Sequence, residues 1–149
     1  VKILGHRGIN QNEIGGKPYQ NTIEAFNYAL GFSDGIELDV FLSKDNICHI
    51  IHDDEIEKHS SFSSGRITEL TSKEIEKLSI GKRQKYNIPK LSDVIEIIGK
   101  KILNIEIKQK GIQEEVLNEI NSSNMNKENL ILSSFNHDDL LKLRKKDKD

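Results

Sequence analysis

Ile36-Glu37-Leu38-Asp39-Val40 is the stretch on which the reading of this chain turns. Side chains along a strand point to opposite faces at period two. Ile36, Leu38 and Val40 therefore share one face, and Glu37 and Asp39 the other. Asn104-Ile105-Glu106-Ile107-Lys108 repeats the division, with Asn104, Glu106 and Lys108 together on the charged side. An antiparallel sheet with one wet side would produce the same pattern. Two features weigh against that reading. Helical patterns flank both strands, which leaves a parallel sheet little wet surface. Charges also collect at strand carboxyl ends, joined by His6-Arg7 after the first apolar run and His52-Asp53 after the third. Polar groups drawn from several strand ends are how barrels and open α/β sheets build sites.

Outward from these strands the chain alternates. Ile3-Leu4-Gly5, Gly35 to Val40, Ile47 to Ile51, Ile102 to Ile107 and Leu130 to Ser134 are short runs rich in Ile, Leu and Val, as buried parallel strands are. Helix signals lie between them. Asn21-Thr22-Ile23-Glu24 places a capping residue three before a Glu, and Thr71-Ser72-Lys73-Glu74 is a capping box. Leu91 to Ile98 stops at Gly99, and Ile112 to Ile120 and Asp138 to Arg144 each carry an apolar stripe. Asp53 to Leu70, polar or glycine almost throughout Ser60 to Gly65, reads as a surface excursion, and Lys145 to Asp149 as a solvated charge run. The order predicts an α/β protein with a parallel sheet.

Composition narrows the class. The 149 residues carry 22 Lys+Arg against 24 Asp+Glu, a formal net charge of -2, which lacks the basic excess of a nucleic-acid binder. One Cys excludes a disulfide framework and a Cys-based zinc cluster, and fits a reducing compartment. No apolar run reaches the ~18 residues of a membrane span, and no charged-then-apolar leader opens the chain. The expectation is a cytoplasmic protein without a membrane span.

Charge balance points to a cation. Glu37, Asp39 and Glu106 bring three negative charges and Arg7 and Lys108 two positive ones, a sum of -1. Clustered carboxylates raise one another's pKa and resist ionising together unless a cation joins them. A divalent ion takes the sum to +1, and a phosphodiester monoanion then takes it to zero. All-oxygen ligands favour Mg2+ or Ca2+ over zinc.

His6-Arg7-Gly8, Asn21-Thr22 with Ala25-Phe26, Ile36 to Val40, Ser43-Lys44-Asp45 and Ile51-His52-Asp53 together resemble the glycerophosphodiester phosphodiesterases. Gly65-Arg66, Leu70-Thr71, Ile88-Pro89-Lys90-Leu91 and Asn104 to Lys108 continue the match in order. The resemblance implies a TIM-type (β/α)8 barrel that hydrolyses glycerol-phospho-alcohols to glycerol 3-phosphate and an alcohol. It implies that Glu37, Asp39 and Glu106 hold the divalent cation, that His6 and His52 are the acid–base pair, and that Arg7 and Lys108 hold the phosphate. Three departures stand out. Tyr19-Gln20 replaces a usual Pro-Glu and removes a carboxylate near the mouth, and the loop Ile9 to Gln20 is longer than usual. A full barrel takes ~250 residues, so residues 1–149 are expected to be the N-terminal five strand–helix units of one barrel domain. Such a piece, expressed alone with an open edge at Leu130 to Ser134, is expected to be poorly soluble or oligomeric and at best feebly active, with full activity belonging to the longer barrel.

Each side chain has a plainer reading beside the functional one. Arg7 offers a rigid fork for phosphate oxygens, or is a surface Arg. His52 is the candidate general acid, because imidazole titrates near neutral pH. Lys108 is a phosphate ligand or a snorkelling lysine. Asn104, Ser133 and Phe135 line the mouth or simply pack. Cys48 reads as an inert core residue, and His49, His59 and His137 as structural or solvent-facing. Competing functions are a lysophospholipase D-like enzyme, a metal-free phosphoinositide-type lyase, which the three carboxylates oppose, and a non-catalytic truncated half-barrel.

Overall fold

A computed structural model describes residues 1–10 and 13–146. Part of the loop Ile9 to Gln20 and the end of the charge run Lys145 to Asp149 lie outside them. The elements in order are β1 (Leu4–His6), α1 (Ile23–Leu30), β2 (Gly35–Leu42), β3 (Cys48–Ile50), α2 (Ser72–Ile75), β4 (Ser79–Ile80), β5 (Tyr86–Asn87), α3 (Leu91–Ile98), β6 (Ile102–Ile107), α4 (Gln113–Asn121), β7 (Leu130–Ser133) and α5 (His137–Lys146).

β1, β2, β6 and β7 form a parallel sheet in that spatial order. The third expected strand differs. β3 runs antiparallel to β2, pairing Val40 with Ile50 and Leu42 with Cys48. The link 43–47 explains it, because a parallel return needs a crossover of about a dozen residues or more. Ser43 and Ile47 close this link instead, with Asn46 in the left-handed region at φ 62°. The expected five strand–helix units thus resolve into four parallel strands and one hairpin arm. Among the described residues β7 pairs only with β6, so its outer edge is open.

The helices form where their caps allow. Thr22 accepts the Ala25 N–H at 3.1 Å and starts α1, which leaves Asn21, also a capping candidate, for other work. Thr71 and Glu74 make the expected capping box of α2. Every long helix then lays its stripe on the same side of the sheet. Phe26 and Ala29 of α1, Leu91, Val94 and Ile98 of α3, Val116 and Ile120 of α4 and Leu143 of α5 pack on Ile36, Leu38, Val40, Leu103, Ile105 and Ile107. Helices on one face only are the arrangement of a barrel wall, whereas doubly wound sheets carry them on both. The opposite face is left to Glu37, Asp39, Asn104 and Glu106.

The excursion from Asp53 to Leu70 does leave the sheet, yet it is more than a surface loop. Single 3-10 turns at Ile56–Lys58 and Ile67–Glu69 bury Ile56 and Ile67 completely. With Tyr19, Ile51, Ile75, Ile80 and Ile88 they make a second, smaller core. The β4–β5 ribbon closes it, with strands too short to show a period in the sequence.

Candidate active site

The site is assembled at the carboxyl end of the sheet. After β1 the chain turns sharply, Gly8 N–H donating to Gly5 O at 3.1 Å. Gly8 has φ 73°, and a Cβ there would sit 2.7 Å from the Ala25 backbone, so only glycine fits. Arg7 is itself left-handed at φ 53°, a strained state for a residue with a side chain. Two contacts hold it there. Its N–H donates to Glu37 Oε2 at 3.0 Å, and its carbonyl accepts the Asn21 N–H at 2.9 Å. The guanidinium donates to Gln20 Oε1 at 3.0 Å, and its Nε lies 3.2 Å from Asp39 Oδ2 at an angle that leaves it without a hydrogen bond.

Parallel register sets Glu37 beside Asn104 and Asp39 beside Glu106. One oxygen from each of Glu37, Asp39 and Glu106 lies within 4.8 Å of the others. Asp39 is fully buried and accepts a hydrogen bond from Asn21 Nδ2 at 3.0 Å. Glu37 Oε1 and Asp39 Oδ1 are buried with no hydrogen-bond partner. Burial, and then the charge of Asp39, push the Glu37 carboxyl up to about 7. Two orphaned carboxylate oxygens facing a third carboxylate suit a hard divalent cation, because buried acceptors without donors are costly.

Lys108 is drawn into the same volume. Its Nζ donates to Glu106 Oε1 at 3.2 Å, sits 4.0 Å from Asp39 Oδ1, and is 3.3 Å from His52 Nε2. His6, half-exposed, has Nε2 3.7 Å from Glu37 Oε2; burial, and then Arg7, lower its pKa. His52 Nδ1 meets Asp53 Oδ2 at 2.8 Å, and the same oxygen meets His59 Nε2 at 2.8 Å. His59 Nδ1 is 3.1 Å from the Tyr19 hydroxyl.

The structure thus links His6, Arg7, Glu37, Asp39, His52, Glu106 and Lys108 in one network of contacts. Of the remaining candidates, Asn104 accepts from the Ser133 hydroxyl at 3.0 Å, a strand-to-strand pairing. Phe135 is 88 % exposed with Lys108 Nζ 5.5 Å from its ring centre, at the rim. His49 is fully buried between Ile47 O and the Ser72 hydroxyl, and Cys48 is buried. Sequence reasoning gave Asn21 only a helix-capping role, which Thr22 takes instead, Gln20 was noted only as a lost carboxylate, and His59 was placed among the structural histidines. Each acts through a turn that curls back onto the strand ends, and neither strand parity nor spacing reports such a contact.

This chain belongs to the glycerophosphoryl diester phosphodiesterase family, whose model matches residues 6–149. Its architecture is that of part of a TIM-type barrel. It is 37% identical over 156 residues to a glycerophosphodiester phosphodiesterase of Caldanaerobacter subterraneus subsp. tengcongensis, covering 96% of this chain and 61% of that one. The chain therefore spans about three fifths of that relative's length. The solved glycerophosphodiester phosphodiesterase of Thermotoga maritima is 35% identical with a TM-score of 0.77, over 94% of this chain and 56% of that chain. A phosphodiesterase of Oleispira antarctica, solved in complex with the product sn-glycerol-3-phosphate, is 28% identical with a TM-score of 0.79, over 97% of this chain and 62% of that chain. Among the described residues no helix is long and apolar enough to cross a membrane.

Proposed function

We propose that this chain carries the catalytic groups of a metal-dependent hydrolase that cleaves glycerophosphodiesters to glycerol 3-phosphate and an alcohol. The observation that carries the proposal is the pair of buried oxygens on Glu37 and Asp39 that accept no hydrogen bond, set beside two imidazoles and two cationic side chains. Glu37, Asp39 and Glu106 would hold Mg2+ or Ca2+; such an ion supplies Lewis-acid polarisation of a phosphoryl oxygen.

The remaining work falls to the chain's own residues. Arg7, fixed by Gln20, offers a rigid guanidinium to the phosphate, and Lys108 adds a point charge. His6 and His52 form the acid–base pair. One takes the proton of the attacking water or glycerol hydroxyl as the new P–O bond forms, and the other protonates the alcohol oxygen as the old P–O bond breaks; attack by the glycerol hydroxyl gives a cyclic phosphate that water then opens to glycerol 3-phosphate. The single buried Cys48 supports a reducing, cytoplasmic setting.

The test follows glycerophosphocholine by phosphorus NMR with the protein and Mg2+ or Ca2+, beside lysophosphatidylcholine as competitor. Glycerol 3-phosphate is the expected product, lost in His52→Ala far more than with a p-nitrophenyl ester, whose leaving group needs little protonation. Preference for the lysophospholipid would move the enzyme to the lysophospholipase D class. The same assay on a chain extended to a closed barrel separates an incomplete wall from a wrong function, and absence of turnover there on either substrate would contradict the proposal and leave a non-catalytic binding role.

A further inference from the structure

Asp53 Oδ2 is the meeting point of two imidazoles, since His52 Nδ1 and His59 Nε2 each approach it to 2.8 Å. The two bonds hold the Asp53 carboxyl down at about 2 against the opposing effect of its burial. An ionised carboxylate only accepts hydrogen bonds, so both nitrogens must be donors. Burial of His59 lowers its pKa and so favours the neutral ring, in which only one nitrogen carries a proton. With Nε2 carrying the proton, His59 Nδ1 is an acceptor, and the Tyr19 hydroxyl 3.1 Å away is its donor. The direction of the whole chain follows. Tyr19 O–H donates to His59 Nδ1, His59 Nε2–H donates to Asp53, and His52 Nδ1–H donates to the same oxygen from the other side. His52 Nε2 is left as the acceptor, where Lys108 Nζ stands at 3.3 Å.

We propose that His59, backed by Tyr19, is a positioning residue that acts through Asp53 to keep one proton of His52 at Nδ1, so that Nε2, beside Lys108, is the nitrogen that takes up and gives up the proton of the reaction. Asp53 needs the help. Its side chain is 31% exposed, and its other oxygen lies 3.7 Å from Lys58 Nζ, a flexible surface partner that would pull the carboxylate away. His59 supplies a fixed donor instead, because its side chain is only 9% exposed and Tyr19 behind it is seated in the second core. That core, and with it the excursion after β3, is thereby tied to the orientation of one imidazole. His52, Asp53 and His59 also have the spacing of a metal site. Their facing atoms are already satisfied by one another, unlike the orphaned oxygens of Glu37 and Asp39, and protons rather than a metal fill the gap.

The inference rests on the phosphodiesterase reading for its consequence in rate, but not for its geometry, and the experiment separates the two. Long-range nitrogen–proton correlation spectra of the histidine-labelled chain read the tautomers directly. The wild-type chain is expected to show His52 protonated at Nδ1 and His59 at Nε2. His59→Phe keeps the ring volume and removes both nitrogens, and His52 should then show mixed tautomers. His59→Gln keeps a donor at the position of Nε2 and should restore the Nδ1–H form. Tyr19→Phe, which leaves the core filled, should mix the His59 tautomers and weaken the His52 Nδ1–H signal, and it serves if His59→Phe fails to fold. In turnover, His59→Phe should lower kcat roughly tenfold with little change in KM, the scale on which partners that orient a histidine act. An unchanged His52 Nδ1–H signal in the folded variants overturns the inference, as does loss of both N–H signals to added Zn2+ at stoichiometric concentration. Absence of turnover with the tautomers as described would overturn only the phosphodiesterase reading.

Discussion

Glu37 is where the chemistry of single residues is most exposed to experiment. Its carboxyl is raised from an ordinary 4.5 to about 7 by burial and by Asp39, so the folded chain holds that proton more tightly than the unfolded one. The resulting stability is fully present below the ordinary value and is lost as pH rises through about 7. In chelator, the Tm of the wild-type chain should therefore fall between pH 5 and pH 8 by more than that of Glu37→Gln. The variant removes a buried negative charge without volume, so at pH 8 it should melt higher than wild type, while Mg2+ or Ca2+ should stabilise only the wild type. Thermal melts across that range, with and without cation, check both. Glu37, Asp39 and Glu106 were legible in the sequence because a carboxylate at an apolar strand's alternate position has nowhere neutral to go. Asn21 was not, because its contact with Asp39 arises only once Thr22, rather than Asn21, caps α1.

At the scale of elements, the decisive contrast is between β2 and the segments that cross its end. β2 and β6 were readable from period two alone, and parity put their carboxylates on one face, whereas the register that sets Asp39 against Glu106 is seen only in the fold. β3 was misread as parallel because its composition is that of a buried strand. The shortness of the link 43–47 was the signal that outweighs composition. The β4–β5 ribbon and the 3-10 turns of the excursion gave no signal, since two or three residues carry no period. They are held by local clamps instead. Glu13, nearly buried and left-handed at φ 58°, accepts the backbone N–H groups of Lys82, Arg83 and Gln84 at 2.9, 2.7 and 2.9 Å. This carboxylate ties the mouth loop to the turn between β4 and β5. Glu13→Ala should cost about 1.5–3 kcal/mol, the range for hydrogen bonds to a charged group. Amide exchange should speed up at residues 82–84 and stay unchanged in β2 and β6. Uniform acceleration across the sheet would instead make Glu13 a global support.

On the scale of the whole molecule, one-sided helix packing turns a flat strand pattern into a wall with an inner and an outer face. The outer face carries the larger core, and the inner face has only charge to offer at its carboxyl end. That division was visible in the sequence as parity; alternation and charged strand ends left a barrel and an open α/β sheet both possible, and it was the resemblance to the phosphodiesterases that implied the barrel. The number of parallel strands was not, because chain order does not say which strands fold back. The central claim is that Glu37, Asp39 and Glu106, gathered on this inner face, share one hard cation. Calorimetric titration of Mg2+ and Ca2+ into the chelator-stripped chain at pH 7.5 tests it most directly. The account predicts a single saturable site in the wild type, absent in Glu37→Gln; no saturable binding, or equal binding in both chains, would contradict it.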